Sequence, residues 1–296
     1  MMKKALIIGM GFGQAVYKPV LTQLGYEVIT VDMDTSKGAD FSDLDDAIRV
    51  HGKFDTVNIC TPNFTHIELA RKVATFSKIV FVEKPGVVNS EAWRWLCIDY
   101  PQTRFMMVKN NQYRDTIEQF KLLADQSHTV RLVWNNKNRI PNPGSWFTTK
   151  ERAFGGVSRD LMPHMLSYYV ELTDYTKGNK LYSNAIQRHE LKDLIDTDYG
   201  SVNHDGTYDV DDFCEFEFKN GDTTWVLTAN WKDDKADDVY ISFDMKNSAA
   251  KFVLGLCPEE AYKAMIENAV NNLNNNEFWK EQLAQDIWIH KQIENL

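Results

Sequence analysis

At 296 residues and 34.2 kDa, with 43% hydrophobic and 25% charged residues and only 15 glycines and 8 prolines, the chain has the usage of a globular protein of about two domains. That excludes collagen-like, low-complexity and largely disordered classes. Its 33 Lys and Arg against 42 Asp and Glu leave a net charge of −9, and without a basic run no nucleic-acid footprint is expected.

Met1-Met2-Lys3-Lys4 followed by Ala5-Leu6-Ile7-Ile8 has the outline of a signal peptide. Glycines at 9, 11 and 13 break the apolar run after four residues, so the segment is expected as a buried first strand, and no later stretch reaches the ~18 apolar residues of a membrane span. Cys60, Cys97, Cys214 and Cys257 stand far apart with no CxxC pair, which points away from a zinc ribbon or disulfide framework and fits a reducing cytoplasm.

Up to residue 110 short apolar runs at 4–9, 27–32, 56–61, 78–83 and 105–109 read as strands buried on both faces. Helical patterns at 13–24, 43–51, 65–76 and 90–98 lie between them. This alternation predicts an α/β Rossmann-type domain with an open parallel sheet over 1–110. Beyond it, Asn220-Gly221 joins strand patterns at 213–219 and 223–231, and Asn247-Ser248 joins 239–245 to 249–254. Such two-residue links are hairpin signals. With helices expected at 113–125, 157–172, 258–273 and 277–294, residues 111–296 read as an α+β domain with a largely antiparallel open sheet. Trp225, Leu227, Ala229 and Trp231 alternate onto one face of it, an apolar surface that needs a cover from a helix or another subunit.

Gly9-Met10-Gly11-Phe12-Gly13-Gln14 follows the first strand and opens the first helix. A sharp turn there aims free amides at a pyrophosphate, and positions without Cβ admit close backbone approach. The spacing departs from GxGxxG, because the third position falls on Gln14 and Gly13 comes one place early. Asp32 ends the second strand, where a carboxylate can accept from both hydroxyls of an adenosine ribose and would repel a 2′-phosphate. NAD is therefore favoured over NADP.

Three further segments carry a family resemblance: Ile59-Cys60-Thr61-Pro62-Asn63-Phe64-Thr65-His66, Phe81-Val82-Glu83-Lys84-Pro85 and Gly155-Gly156-Val157-Ser158-Arg159-Asp160-Leu161-Met162-Pro163-His164. With the glycine turn and Asn111-Gln112-Tyr113-Arg114, they resemble the family of glucose-fructose oxidoreductase, inositol dehydrogenase and the rhizopine-catabolism proteins (Gfo/Idh/MocA). The resemblance implies that Thr61, Pro62, Asn63, His66, Glu83 and Lys84 join Gly9, Gly11, Phe12, Gly13 and Asp32 around NAD. It implies a cis Lys84-Pro85 bond and a lysine that holds the reacting hydroxyl. Lys84 also ends a predicted strand of the parallel sheet, the edge where such sheets bind ligands.

Asp160 and His164, four apart on a predicted helix, are expected on one face, where imidazole and carboxylate together can take a proton from a hydroxyl. The family often places an Asp three residues after this histidine, but here Ser167 stands there. Asn111, Tyr113, Arg114, Trp146 and Arg152 are candidate substrate contacts. No HxH or HExxH pair occurs among the seven histidines, so no metal is expected.

These observations lead to an NAD-dependent oxidoreductase moving a hydride between nicotinamide and a sugar, sugar derivative or cyclitol, free or carrying a phosphate or nucleotide. The alternatives are a reductase of a C=N or tetrapyrrole-type substrate and a non-catalytic NAD-binding regulatory protein. The resemblance also implies a homodimer or homotetramer assembled through the second-domain sheet.

Overall fold

A computed structural model describes residues 2–197, 199–233 and 237–296. Five parallel strands form the first sheet: β1 (Lys4–Ile8), β2 (Glu27–Val31), β3 (Phe54–Ile59), β4 (Ser77–Val82) and β5 (Arg104–Met107), in the order β2-β1-β3-β4-β5. Leu6 faces both Ile29 and Val57, and Val57 faces Val80. Apolar, mostly β-branched residues fill these positions because each strand is covered on both faces. The chain moves to one side of β1 for β2 and to the other for β3. Strand order thus reverses between β1 and β3, and their carboxyl ends form the crevice where open sheets take ligands.

Helices α1 (Lys18–Gln23), α2 (Leu44–His51), α3 (His66–Ala74) and α4 (Ser90–Asp99) make the crossovers. Asp43 and Asn89 start α2 and α4 by accepting first-turn amides. The first helix departs from its predicted form, because Gly13–Tyr17 is a π-helical turn in which the Lys18 amide reaches back to the Gly13 carbonyl.

The remaining helices and strands are α5 (Ile117–Ala124), β6 (Ser127–Asn135), α6 (Lys150–Ala153), α7 (Val157–Asp160), α8 (Met162–Leu172), β7 (Asn179–Ile186), β8 (Phe213–Asn220), β9 (Thr223–Asn230), β10 (Asp238–Met245), β11 (Ala249–Val253), α9 (Glu259–Asn271) and α10 (Asn276–Ile293). The second sheet runs β11-β10-β6-β9-β8-β7 and is antiparallel except where β6 meets β9. β6 and β7 were not among the expected strands. β7 is exposed over its first half, so it lacks the alternation that identifies a half-buried strand.

Contacts divide the chain into one unit of Met1–Tyr113 with Cys257–Glu294 and another of Arg114–Leu256 with Asn295–Leu296. This differs from a single boundary at 110/111, which gives α9 and α10 to the second domain. They belong to the first unit because their apolar faces complete its core. Tyr262, Met265 and Ile266 of α9 join Ile7, Tyr17, Phe81 and Met106. Asp286 of α10 pairs with Lys109, both fully buried, and accepts the Met107 amide at 3.1 Å. Burial pushes the Asp286 carboxyl up, and the Lys109 ammonium works against that rise.

In the second unit the apolar face of β9 is covered from within. Tyr169 of α8 packs edge-on against Trp225, and Trp231 reaches Asp160 of α7. That face therefore gives no argument for a second subunit. Among the described residues, no helix is long and apolar enough to cross a membrane.

Candidate active site

The glycine turn leaves β1 at the sheet crevice. Gly9 has φ +96°, donates to Val31 O at 2.9 Å, and has the Cys60 carbonyl where a Cβ would stand, at 2.7 Å. Only glycine fits such a backbone. Gly11 has nothing within 4 Å of a Cβ position, so its backbone is open to a ligand, whereas Gly13 faces the Ile7 side chain at 2.6 Å. Gly13 thus serves the close helix-strand packing of a dinucleotide turn one residue early. The half-exposed Phe12 ring meets Tyr17 and Tyr262 edge-on or tilted, each at 6.1 Å.

Asp32 lies beside this turn. Its carboxylate accepts from the Met10 amide at 2.7 Å, the Asp34 amide at 2.9 Å and Lys37 Nζ at 3.1 Å. Burial works to raise its pKa, but these donors outweigh it and hold the carboxyl below its ordinary value. Lys37 went unnoticed in the sequence, although it stands only five residues beyond Asp32. Its ammonium partly offsets the Asp32 charge.

At the end of β3, Thr61 Oγ1 shares a 2.6 Å hydrogen bond with Thr65 Oγ1, and Asn63 is buried in the following turn. His66 is fully buried, with Nδ1 at 2.7 Å from Gly86 O and Nε2 at 2.7 Å from Thr61 O. Carbonyls only accept, so both contacts exist together only in the doubly protonated ring. Burial and the nearby Lys84 ammonium hold its pKa down against the two acceptors. His66 therefore braces two loops and presents no surface to a cofactor.

β4 leads into Glu83, Lys84 and a cis Lys84-Pro85 bond. Glu83, by contrast, is half-buried. It accepts from Tyr17 Oη at 2.7 Å and from the Lys84 amide at 3.2 Å, and burial raises its pKa. Lys84 is half-buried at the carboxyl edge of the sheet. Gly9, Gly11, Asp32, Thr61 and Lys84 thus follow the carboxyl ends of β1, β2, β3 and β4. A cradle closed to any Cβ at Gly9 and open at Gly11, beside an ionised carboxylate, fits a dinucleotide.

In the second unit Asp160 and His164 are not on one continuous helix. Pro163, which lacks an amide and crowds the carbonyl four residues back, accompanies a break at Leu161. Asp160 ends α7 and accepts from Trp231 Nε1 at 3.0 Å, while His164 in the first turn of α8 stacks on Trp134 at 5.7 Å and 25°. The two tryptophans stand on adjacent strand ends; in the sequence Trp231 was read only as part of an apolar sheet face, and Trp134 was not singled out, since aromatic strand residues read simply as core. Ser167 turns its hydroxyl to His164 O at 2.6 Å.

The Gly155-Gly156 loop is held by another residue with no sequence signal, Asp211. It accepts from the Gly156 amide at 2.8 Å, the Ser158 amide at 2.7 Å and Ser158 Oγ at 2.9 Å. A Cβ on Gly156 would sit 1.8 Å from Asp211 O. Gly156→Ala should therefore cost about 3 kcal/mol, the upper end of overpacking penalties, read as a lower urea midpoint with unchanged slope. An unchanged midpoint would mean that this loop is not packed so tightly.

Of the other candidates, Asn111 is buried in the first unit, and Tyr113 Oη in the same unit accepts from Asn268 at 3.3 Å. In the second unit Arg114 donates to Gly255 O at 2.7 Å, Trp146 stacks on Phe147 at 3.8 Å, and Arg152 is exposed. Among the described residues, no group of three or more His, Cys, Asp or Glu side chains could hold a metal ion.

Residues 3–98 match the model of the GFO_IDH_MocA oxidoreductase family, NAD-binding Rossmann fold. Over 263 residues the chain is 23% identical to the putative UDP-kanosamine synthase oxidoreductase subunit of Amycolatopsis mediterranei (strain S699), covering 80% of this chain and 71% of that protein. A myo-inositol dehydrogenase from Corynebacterium glutamicum has the same fold, with TM-score 0.73 and 10% identity over 98% of this chain and 94% of that one. So does the WlbA dehydrogenase from Bordetella pertussis in complex with NADH and UDP-GlcNAcA, with TM-score 0.72 and 15% identity over 99% and 96%. With the glycine turn, the acidic end of β2 and the Glu-Lys-Pro loop in place, residues 3–98 carry the NAD-binding Rossmann fold that the Gfo/Idh/MocA oxidoreductase model describes, and the whole chain has the fold of NAD(P)-dependent oxidoreductases of that kind.

Proposed function

We propose that the protein oxidises or reduces one carbon of a sugar or cyclitol, with nucleotide-linked hexoses as the first substrates to try. The observation that supports this reading most directly is the set of chemical groups at the strand ends, with Lys84 following the same sheet edge as the dinucleotide cradle. The nucleotide-linked preference draws on the two relatives named for UDP-sugars. Bound NAD supplies the hydride acceptor. The backbone of Gly9–Gly13 would hold its pyrophosphate, and Asp32 its adenosine ribose.

The chain's own side chains do the rest. Lys84 would donate to the reacting oxygen and favour its negative form. His164 would take the hydroxyl proton during oxidation and return it during reduction. Asp160, fixed by the Trp231 indole, would orient substrate and imidazole.

The test is reduction of NAD, followed optically, with a panel of UDP- and TDP-hexoses and with myo-inositol. Turnover with at least one supports the reading. Tight NAD binding with no turnover across the panel would favour the regulatory alternative.

Cofactor choice gives a separate expectation. A 2′-phosphate near Asp32 meets a repulsion of about 4 kcal/mol at ~4 Å and an effective dielectric of ~20, reduced by solvent and by Lys37. NAD should be preferred over NADP by about tenfold or more in kcat/KM, and Lys37→Ala should widen the ratio. Equal use of both cofactors by the wild type would remove Asp32 from the ribose.

A further inference from the structure

The peptide joining Gly86 to Val87 is gripped on both of its polar groups by buried imidazoles. Its carbonyl lies 2.7 Å from His66 Nδ1 and accepts from it in the tautomer protonated there, and its amide donates to His290 Nε2 at 3.2 Å. Both rings are fully buried. His66 opens α3 and His290 lies near the end of α10, so the two come from distant parts of the chain.

The His290 proton is assigned by its partners. Nδ1 faces the Asp286 carbonyl at 2.6 Å and must donate, which leaves Nε2 free to accept from Val87. Trp93 stacks on the ring at 5.5 Å and 27°, and Asp286 is itself tied to Lys109 and the Met107 amide. Gly86 has φ +78°, and a Cβ there would lie 2.6 Å from His290 Nε2. Any other residue would push the ring away. On the other side of Lys84, Glu83 is fixed by Tyr17, and the Gly86 amide closes a turn onto Glu83 O at 2.9 Å.

We infer that His66 and His290 are positioning residues for Lys84, acting through the Gly86-Val87 peptide. The inference rests on the reading of Lys84 as the group beside the nicotinamide. A neutral hydrogen bond of about 1 kcal/mol corresponds to a factor of about five. Removing either imidazole lets the peptide rotate and moves Lys84 from its place, while the glycine turn and Asp32, on other loops, still hold the cofactor.

Lys84 labelling by a brief pulse of acetic anhydride, quantified by mass spectrometry with and without saturating NAD, reads that position without any substrate. The proteins are wild type, His290→Leu, His290→Gln and His66→Phe, with exposed Lys53 as internal control and NAD affinity measured by calorimetry. In wild type NAD should shield Lys84 and leave Lys53 unchanged. His290→Leu and His66→Phe should lose about fivefold of that shielding at unchanged NAD affinity, a split that general loosening of the unit would not produce. His290→Gln, whose amide oxygen can accept from Val87, should restore it.

Full shielding in either folded variant, His290→Leu or His66→Phe, overturns the inference. If His290→Leu does not fold, loss of shielding in a folded His290→Gln overturns it equally. Absence of shielding in wild type would instead refute the placement of Lys84, and the inference with it.

Discussion

His164→Asn should lower turnover by about 100- to 10,000-fold while leaving the fold and NAD affinity intact, the range over which a positioned general acid-base acts. Asparagine keeps a polar side chain of similar reach in the first turn of α8 but can neither gain nor lose a proton. The sign of the pH effect follows from the chemistry. Oxidation needs the unprotonated imidazole, so wild-type kcat/KM in that direction should rise with pH, and reduction should fall over the same range. Both profiles should flatten in the variant. An asparagine enzyme with full rate and the wild-type profile would move the base elsewhere and leave the Trp134 stack as a purely structural contact.

Lys84→Met should cost about 100-fold or more in kcat. Methionine keeps an unbranched stem at the sheet edge but removes the ammonium proposed as donor to the reacting oxygen. NAD affinity should change little, since the residues proposed to hold the pyrophosphate and ribose lie on other loops. The opposite pattern, weak NAD binding with near-normal turnover at saturation, would make Lys84 a cofactor anchor.

The parallel sheet was legible in the sequence because its strands are buried on both faces, and runs such as Ile79-Val80-Phe81-Val82 have no other good reading. The hairpins at Asn220-Gly221 and Asn247-Ser248 were legible from turn chemistry. The catalytic candidates could be picked out by their motifs, but their supports could not. Asp211 holds the double glycine from a loop more than fifty residues away, Trp231 holds Asp160 from a strand end, and Tyr17 reaches Glu83 from a π-helical turn. Each contact exists only once tertiary packing has brought distant segments together, so no local pattern announces it. The broken helix at Leu161 was more accessible, since Pro163 already argues against a continuous helix over 157–172.

Membership of α9 and α10 in the first unit has a consequence for how the chain folds. Synthesis delivers the five parallel strands within the first 110 residues, yet the surface of Ile7, Tyr17, Phe81 and Met106 meets Tyr262 and Ile266 only after the whole second unit has been made. Lys109 likewise waits for Asp286. The nascent chain must carry an open apolar face and an unpaired buried-site cation through that interval, while long-range contacts remain the last to close. The second unit, by contrast, is nearly continuous in sequence and can mature on its own schedule, so the order of completion runs opposite to the order of synthesis.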